Sequence, residues 1–227
     1  MTELIAKNIW LRKVLLSNNI KVDDAHIDLL SKYVGLLIEK NISVNLVSRK
    51  DIENIWENHI IHSISILFNF SFPKNSTILD LGSGGGLPGI PLKILQPDIN
   101  LTLIDSIKKK VCAIDEFIQN LGLTQTNAVW SRAEDLGKEH LNHYDIVISR
   151  AVAPLKDLIR WAYPLIKKYG AAPLSSTLVA LKGGDLESEI KHARLYGRCK
   201  EIIVNDLVMK GIGSTILQDK KIVVVRF

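Results

Sequence analysis

Residues 78–89 read Ile-Leu-Asp-Leu-Gly-Ser-Gly-Gly-Gly-Leu-Pro-Gly. A short apolar run holds an acid, and five of the chain's 14 glycines then fall within eight positions. Glycine loses the most conformational freedom on ordering. Such a cluster therefore belongs where backbone must turn sharply or approach a ligand closely. The apolar run predicts a buried strand over 77–82. Pro88, with φ pre-set for a first turn, predicts a helix over 88–96. Strand, glycine loop and helix together are the layout of a nucleotide-binding βα unit.

The loop can be parsed in two ways. Gly84-x-Gly86-x-x-Gly89 fits a dinucleotide fingerprint, whereas Asp80-x-Gly82-x-Gly84-x-Gly86 fits the pattern of S-adenosylmethionine-dependent methyltransferases. Asp80 favours the second, because a carboxylate there repels a pyrophosphate and suits a ligand bearing an ammonium and a sulfonium. A ligand-free turn needs fewer than five glycines. The next apolar stretch, 101–104, ends in Asp105, 19 residues beyond Gly86. That offset suits an acid that binds a ribose diol, and it serves either cofactor. Asp105 also fits the cap of a following helix.

Further strands are expected near 101–105, 126–130, 144–149, 176–182, 200–208 and 221–227, with helices near 107–120, 154–168 and 184–194. Strands alternating with helices predict an α/β fold, a doubly wound, seven-stranded, mostly parallel sheet with right-handed crossovers. No full helix fits between the last two strands, where Gly211-Ile-Gly213-Ser is turn-like. They are expected to form a C-terminal antiparallel hairpin, an ending that suits a methyltransferase sheet. Residues 1–72 read as an N-terminal helical cap and 73–227 as the cofactor-binding domain. In the cap, Leu29, Leu30, Tyr33, Val34, Leu37 and Ile38 share one helix face opened by Asp23-Asp24, and a third helix is expected from Asp51 to about 69.

The 227 residues are 47% apolar and 23% charged, ample for a core, with a formal charge of +5. Basic residues cluster at Arg49-Lys50, Lys108-Lys109-Lys110, Lys167-Lys168, Arg194 to Lys200 and Lys220-Lys221. Singly these are solvated faces; together they make nucleic acid a candidate partner. Cys112 and Cys199 match no ligand or redox spacing, and no apolar run is long enough to span a bilayer. A soluble cytoplasmic protein that binds no membrane and no metal, acting as a monomer, is the expectation.

The continuation Leu87-Pro88-Gly89-Ile90-Pro91-Leu92 is more restrictive than the glycines. With Asn45-Leu46-Val47-Ser48-Arg49, His59-Ile-Ile-His-Ser63, Ser131-Arg132-Ala133-Glu134, Ile148-Ser149-Arg150-Ala151 and Ala180-Leu181-Lys182-Gly183, the chain resembles the RsmG (GidB) family over nearly its whole length. These are bacterial methyltransferases acting on N7 of a guanine in 16S ribosomal RNA. The resemblance implies S-adenosylmethionine as cofactor and 16S rRNA or the small ribosomal subunit as partner. It also implies cofactor contacts from Gly82, Leu87, Ala133, Glu134 and Arg150, with Asp105 on the ribose by its spacing. Arg150 suits the methionine carboxylate or an RNA phosphate, unless Asp105 or Asp145 pairs with it. The chain departs from the family at His62, where Asp is usual, at Lys220, where Arg is common, and in a longer segment over 169–176.

Guanine N7 carries a lone pair and no proton, so no catalytic acid or base is assigned. The fourth-strand motif Ser149-Arg150-Ala-Val-Ala-Pro154 is not the Asp/Asn-Pro-Pro-aromatic motif that grips an exocyclic amine, and neither cysteine is placed as a carbon nucleophile. Trp56, Trp130, Tyr144 and Trp161 are candidates to stack on an extruded base, against a role in core packing. Lys182 and Lys220, near strand ends, are the favoured phosphate contacts. Two other readings stay open, an NAD-dependent oxidoreductase and a non-catalytic RNA-binding protein on a methyltransferase fold.

Overall fold

The computed structural model describes residues 2–150, 152–168, 176–213 and 215–227, with side chains from residue 5 onward. The sheet contains β1 (Thr77–Leu81), β2 (Asn100–Asp105), β3 (Thr126–Trp130), β4 (Ile146–Arg150), β5 (Thr177–Gly183), β6 (Glu201–Asp206) and β7 (Lys220–Arg226). Their spatial order is β3-β2-β1-β4-β5-β7-β6. The first five are parallel, and β7 inserts antiparallel to both β5 and β6. The seven-stranded sheet and its antiparallel ending are thus as the sequence predicts, with strand ends within about two residues. The order reverses between β1 and β4, which is where a doubly wound sheet opens a ligand crevice.

Side chains alternate across this sheet with period two. Ile78, Ile146, Ile148, Val179 and Leu181 face one core, while Leu79, Leu81, Val147, Leu178 and Ala180 face the other. The first core is covered by α1 (Thr2–Ser17), α2 (Asp24–Asn41), α4 (Gly89–Leu95) and α5 (Lys108–Leu121). The second is covered by α6 (Leu155–Ala162) and α7 (Glu187–Tyr196). Leu11, Leu30 and Leu37 of the N-terminal helices share one continuous cluster with Ile90 and Phe117, so the cap is packed onto the sheet's own core.

Two helix expectations change. The segment expected as one helix from Asp51 is a series of short turns: a 3-10 turn (Arg49–Asp51), a π-helical turn (Trp56–Ile61), α3 (His62–Ile64) and a second 3-10 turn (Ser65–Phe68). Burial of Trp56, Ile60, Ile61 and Ile64 dictates its winding more than local propensity does. The helix expected over 154–168 stops at Ala162, two residues before Pro164, which cannot donate a backbone hydrogen bond. The expected long segment at 169–176 lies, apart from Ser176, outside the described residues.

Candidate active site

The carboxyl ends of β1, β2, β3 and β4 open on two adjoining cavities. The first, of about 210 Å³, is lined by Ile104, Asp105, Ser106, Ser131, Arg132, Ala133, Glu134 and Trp161. The second, of about 380 Å³, is lined by Leu46, Ser83, Gly84, Gly85, Leu87, Lys110 and Arg150. Gly82, Asp105, Ser106 and Val152 line both, so the cavities form one bent cleft. All six residues expected to contact cofactor lie on it: Gly82, Asp105, Ala133 and Glu134 on the first cavity, and Gly82, Leu87, Asp105 and Arg150 on the second.

Gly82 is required at the bend. Its φ of +69° is left-handed, and a Cβ there would lie 2.6 Å from the Val152 side chain. Pro88, joined to Leu87 by a cis peptide, stands at the N-cap of α4. The cap reaches the loop from above: Tyr33 Oη donates to the Gly85 carbonyl at 2.8 Å, and Asn41 Oδ1 accepts from Leu46 and Val47 N–H at 2.7 and 2.9 Å. These bonds seat Leu46 over the glycines. Neither Leu46 nor Val152 carries a chemical signature that sequence reasoning could use.

Asp105 has both carboxylate oxygens engaged by backbone. Oδ2 accepts from Gly84 N–H at 3.0 Å and Oδ1 from Ile107 N–H at 2.9 Å. Each oxygen keeps a second lone pair, so the residue can brace the loop and still accept from a ligand hydroxyl.

Asp80 departs from its expected place. It is fully buried, and Oδ2 accepts from Gly89 N–H at 2.8 Å. A Cβ on Gly89 would stand 2.6 Å from that oxygen, so the last glycine exists to let the carboxylate reach the backbone. The acid lies beneath the loop and lines neither cavity. The expectation that it faces a ligand's cation is corrected accordingly: it acts on the loop. Burial raises its pKa to about 7, opposed by the Gly89 N–H and by the charge of Arg150.

Arg150, half-buried at the end of β4, forms no ion pair among the described residues. Its side chain makes one hydrogen bond among the described residues, a long donation of 3.4 Å from Nη1 to the carbonyl of Asn58 in the π-helical turn. Asp145 is taken by Lys167 at 3.0 Å and by Thr77. Burial lowers the Arg150 pKa while Tyr33 and Asp80 raise it, so it remains an available cation in the cleft. His59 and His62 are buried close to it. Burial and then the Arg150 charge lower their pKa values to about 4 and about 3. His59 Nε2 lies 3.5 Å from Asp51, and His62 Nε2 has no partner among the described residues.

Of the favoured phosphate contacts, Lys182 is unavailable. Its Nζ donates to the Ala153 carbonyl at 2.6 Å and pairs with Glu189, whose carboxylate also accepts from Leu155 N–H. It braces the loop that follows Arg150. Lys220 is half-buried, forms no ion pair among the described residues and contributes to the low pKa of His62. Among the described residues no group of three His, Cys, Asp or Glu is placed to hold a metal, and no helix is long and apolar enough to cross a membrane.

The cleft fits a nucleoside with a charged tail. Trp161 lines the first cavity, and its indole N–H is shielded from solvent and has no acceptor among the described residues, a buried donor left over for a partner. The unpaired Arg150 on the second suits a carboxylate.

Comparison with solved structures gives the fold. The crystal structure of M. jannaschii TYW2 in complex with AdoMet superposes with a TM-score of 0.54 at 16% identity, covering 79% of this chain and 75% of that one. A SAM-dependent methyltransferase from Aquifex aeolicus gives 0.53 at 16% identity, over 76% and 92%. Sequence similarity is closer. Proteins named ribosomal RNA small subunit methyltransferase G are 42% identical in Chlorobium luteolum, over 82% of this chain and 75% of that one, and 40% identical in Christiangramia forsetii, over 75% and 79%. The family model described as GidB, rRNA small subunit methyltransferase G, matches residues 26–215. With that match across both the cap and the cleft, the chain belongs to the GidB family.

Proposed function

We propose that the protein is an S-adenosylmethionine-dependent methyltransferase that acts on N7 of a guanine in 16S ribosomal RNA. The observation that carries the proposal is the bent cleft itself, with Trp161 lining one end and, at the other, the Arg150 guanidinium, which forms no ion pair among the described residues. Family membership and the names of the relatives support the small-subunit RNA as substrate. In this reading Ala133, Glu134 and Trp161 receive the adenine, Asp105 the ribose, and Gly82, Leu87 and Arg150 the methionine portion. Residues 1–72 act as a cap that closes the donor end.

When bound, S-adenosylmethionine supplies a methyl group activated by its sulfonium. The chain's part is positioning. A ring nitrogen with a free lone pair presents no proton, so neither Asp80 nor either histidine is needed as a base. Alignment of the reacting atoms and exclusion of water by Leu46, Val152 and the π-helical turn supply the catalysis, worth on the order of 7–11 kcal/mol in well-oriented systems. The family match over residues 26–215 and the 42% identity to a protein named ribosomal RNA small subunit methyltransferase G disfavour an oxidoreductase.

The test is methylation of small ribosomal subunits lacking the modification, using labelled cofactor, followed by chain cleavage at N7-methylguanine. Label at one guanine N7 is the expected result. Label on another atom overturns the N7 assignment, and no label overturns the proposal.

A further inference from the structure

Of the four aromatic residues considered as stacking partners, Trp56 and Tyr144 are buried and Trp161 lines the first cavity. Trp130 differs: it is 58% exposed. It ends β3, the edge strand, opposite Asp105 in register, and so stands at the rim of the cleft. Its ring is not loose. The indole Nε1 donates to the Ser106 carbonyl at 3.0 Å, and the Lys108 ammonium lies 5.0 Å from the ring centroid. Ile107 beside it is 48% exposed. Lys108, Lys109 and Arg132 are exposed, Lys110 reaches the second cavity, and none of the four forms an ion pair among the described residues.

We propose that Trp130, with Lys108, Lys109 and Arg132, is a platform on which an unpaired base of the substrate RNA stacks beside the target nucleotide. Unpaired cations around a fixed, exposed aromatic ring match a single-stranded polyanion with flat bases; a protein partner would be expected to meet apolar surface or paired charge. Strand order puts β3 three strands from β4, about 14 Å at the usual spacing. The ring is therefore too far from Arg150 to hold the base being methylated, and it serves a flanking one. This inference rests on the RNA methyltransferase reading above.

The test compares wild type, Trp130→Ala and Trp130→Phe on small ribosomal subunits lacking the modification, with calorimetry of S-adenosylhomocysteine alongside. Loss of one base stack predicts a KM for the particle raised about 5- to 150-fold in Trp130→Ala. Trp130→Phe, which keeps a stacking face, is expected to recover most of that loss, with homocysteine-nucleoside affinity within about twofold in both variants. An unchanged particle KM in Trp130→Ala overturns the platform. So does an equal loss of S-adenosylhomocysteine affinity, which would make the ring part of the cofactor cleft. A wild-type protein that leaves the particle unmethylated removes the RNA methyltransferase reading as well, so the two failures are distinct.

Discussion

The two ends of the cleft are built from different materials. The first cavity is walled by Ala133, Glu134 and Trp161 on loops and a helix flank, where apolar surface and exposed polar groups dominate. The second is backed by ionisable groups, the buried Asp80, His59 and His62 and the half-buried Arg150, each shifted by desolvation and by its neighbours. Adenine is neutral and flat and needs shape with a few hydrogen bonds. A zwitterionic tail and a phosphate-bearing target need a preset electrostatic field, which only groups held out of water supply. Under the proposed function, the difference predicts that substitutions at the charged second cavity disturb binding and stability together, while those at the first cavity disturb binding alone.

Arg150→Ala is the strongest way to break this contrast. Loss of a charge-assisted hydrogen bond predicts a drop in S-adenosylhomocysteine affinity of about 10- to 150-fold, measured by calorimetry. A change under about threefold would place the carboxylate elsewhere. Gly89→Ala follows. Its Cβ would press on Asp80 Oδ2 and lie 3.1 Å from Leu103, and a cost of about 1–3 kcal/mol in urea unfolding is expected. Unchanged stability would mean the carboxylate is free to move aside.

His62 gives a pH signature of similar size. Its pKa is depressed from 6.5 to about 3, so the unfolded chain takes up a proton that the folded one refuses. The associated stability is complete above about pH 6.5 and is lost as pH falls toward 3, about 2 kcal/mol of it by pH 5. Asp80, raised to about 7, works the other way: its contribution is complete below about pH 4 and is lost as pH rises through 7. His62→Asn should therefore lose less stability than wild type between pH 7 and pH 5 in parallel urea titrations. Identical losses would show that His62 is solvated. The smallest effect is expected at the other end. Glu134→Gln should weaken S-adenosylhomocysteine by about 2- to 12-fold with no change in melting temperature, since the side chain is exposed. A destabilised variant would blur the contrast.

Much of this was legible in the chain. Apolar runs punctuated by Asp, Gly and Pro located all seven strands, because a buried parallel strand and its turn leave strong local marks. The six expected contact residues reach one cleft because each sits at a strand's carboxyl end or in the loop that follows it, where the topology brings loops together. What stayed hidden depends on distant partners. Asp80 could not be seen to serve Gly89, nor Lys182 to be consumed by Glu189 and Ala153, since both pairings are set by packing. The mixed winding of 49–68 was invisible because i+3, i+4 and i+5 turns share one apolar pattern. Whether Trp130 stacks on a base or packs in the core stayed open, because sequence alternation does not reveal that β3 is an edge strand.

The central claim is that one extended methyl donor occupies both cavities, bent at Gly82 and Val152. A crystal structure with S-adenosylhomocysteine tests it most directly. The prediction is adenine between Ala133 and Trp161 and the amino-acid carboxylate on Arg150. A ligand confined to one cavity, or a tail turned away from Arg150, would contradict it.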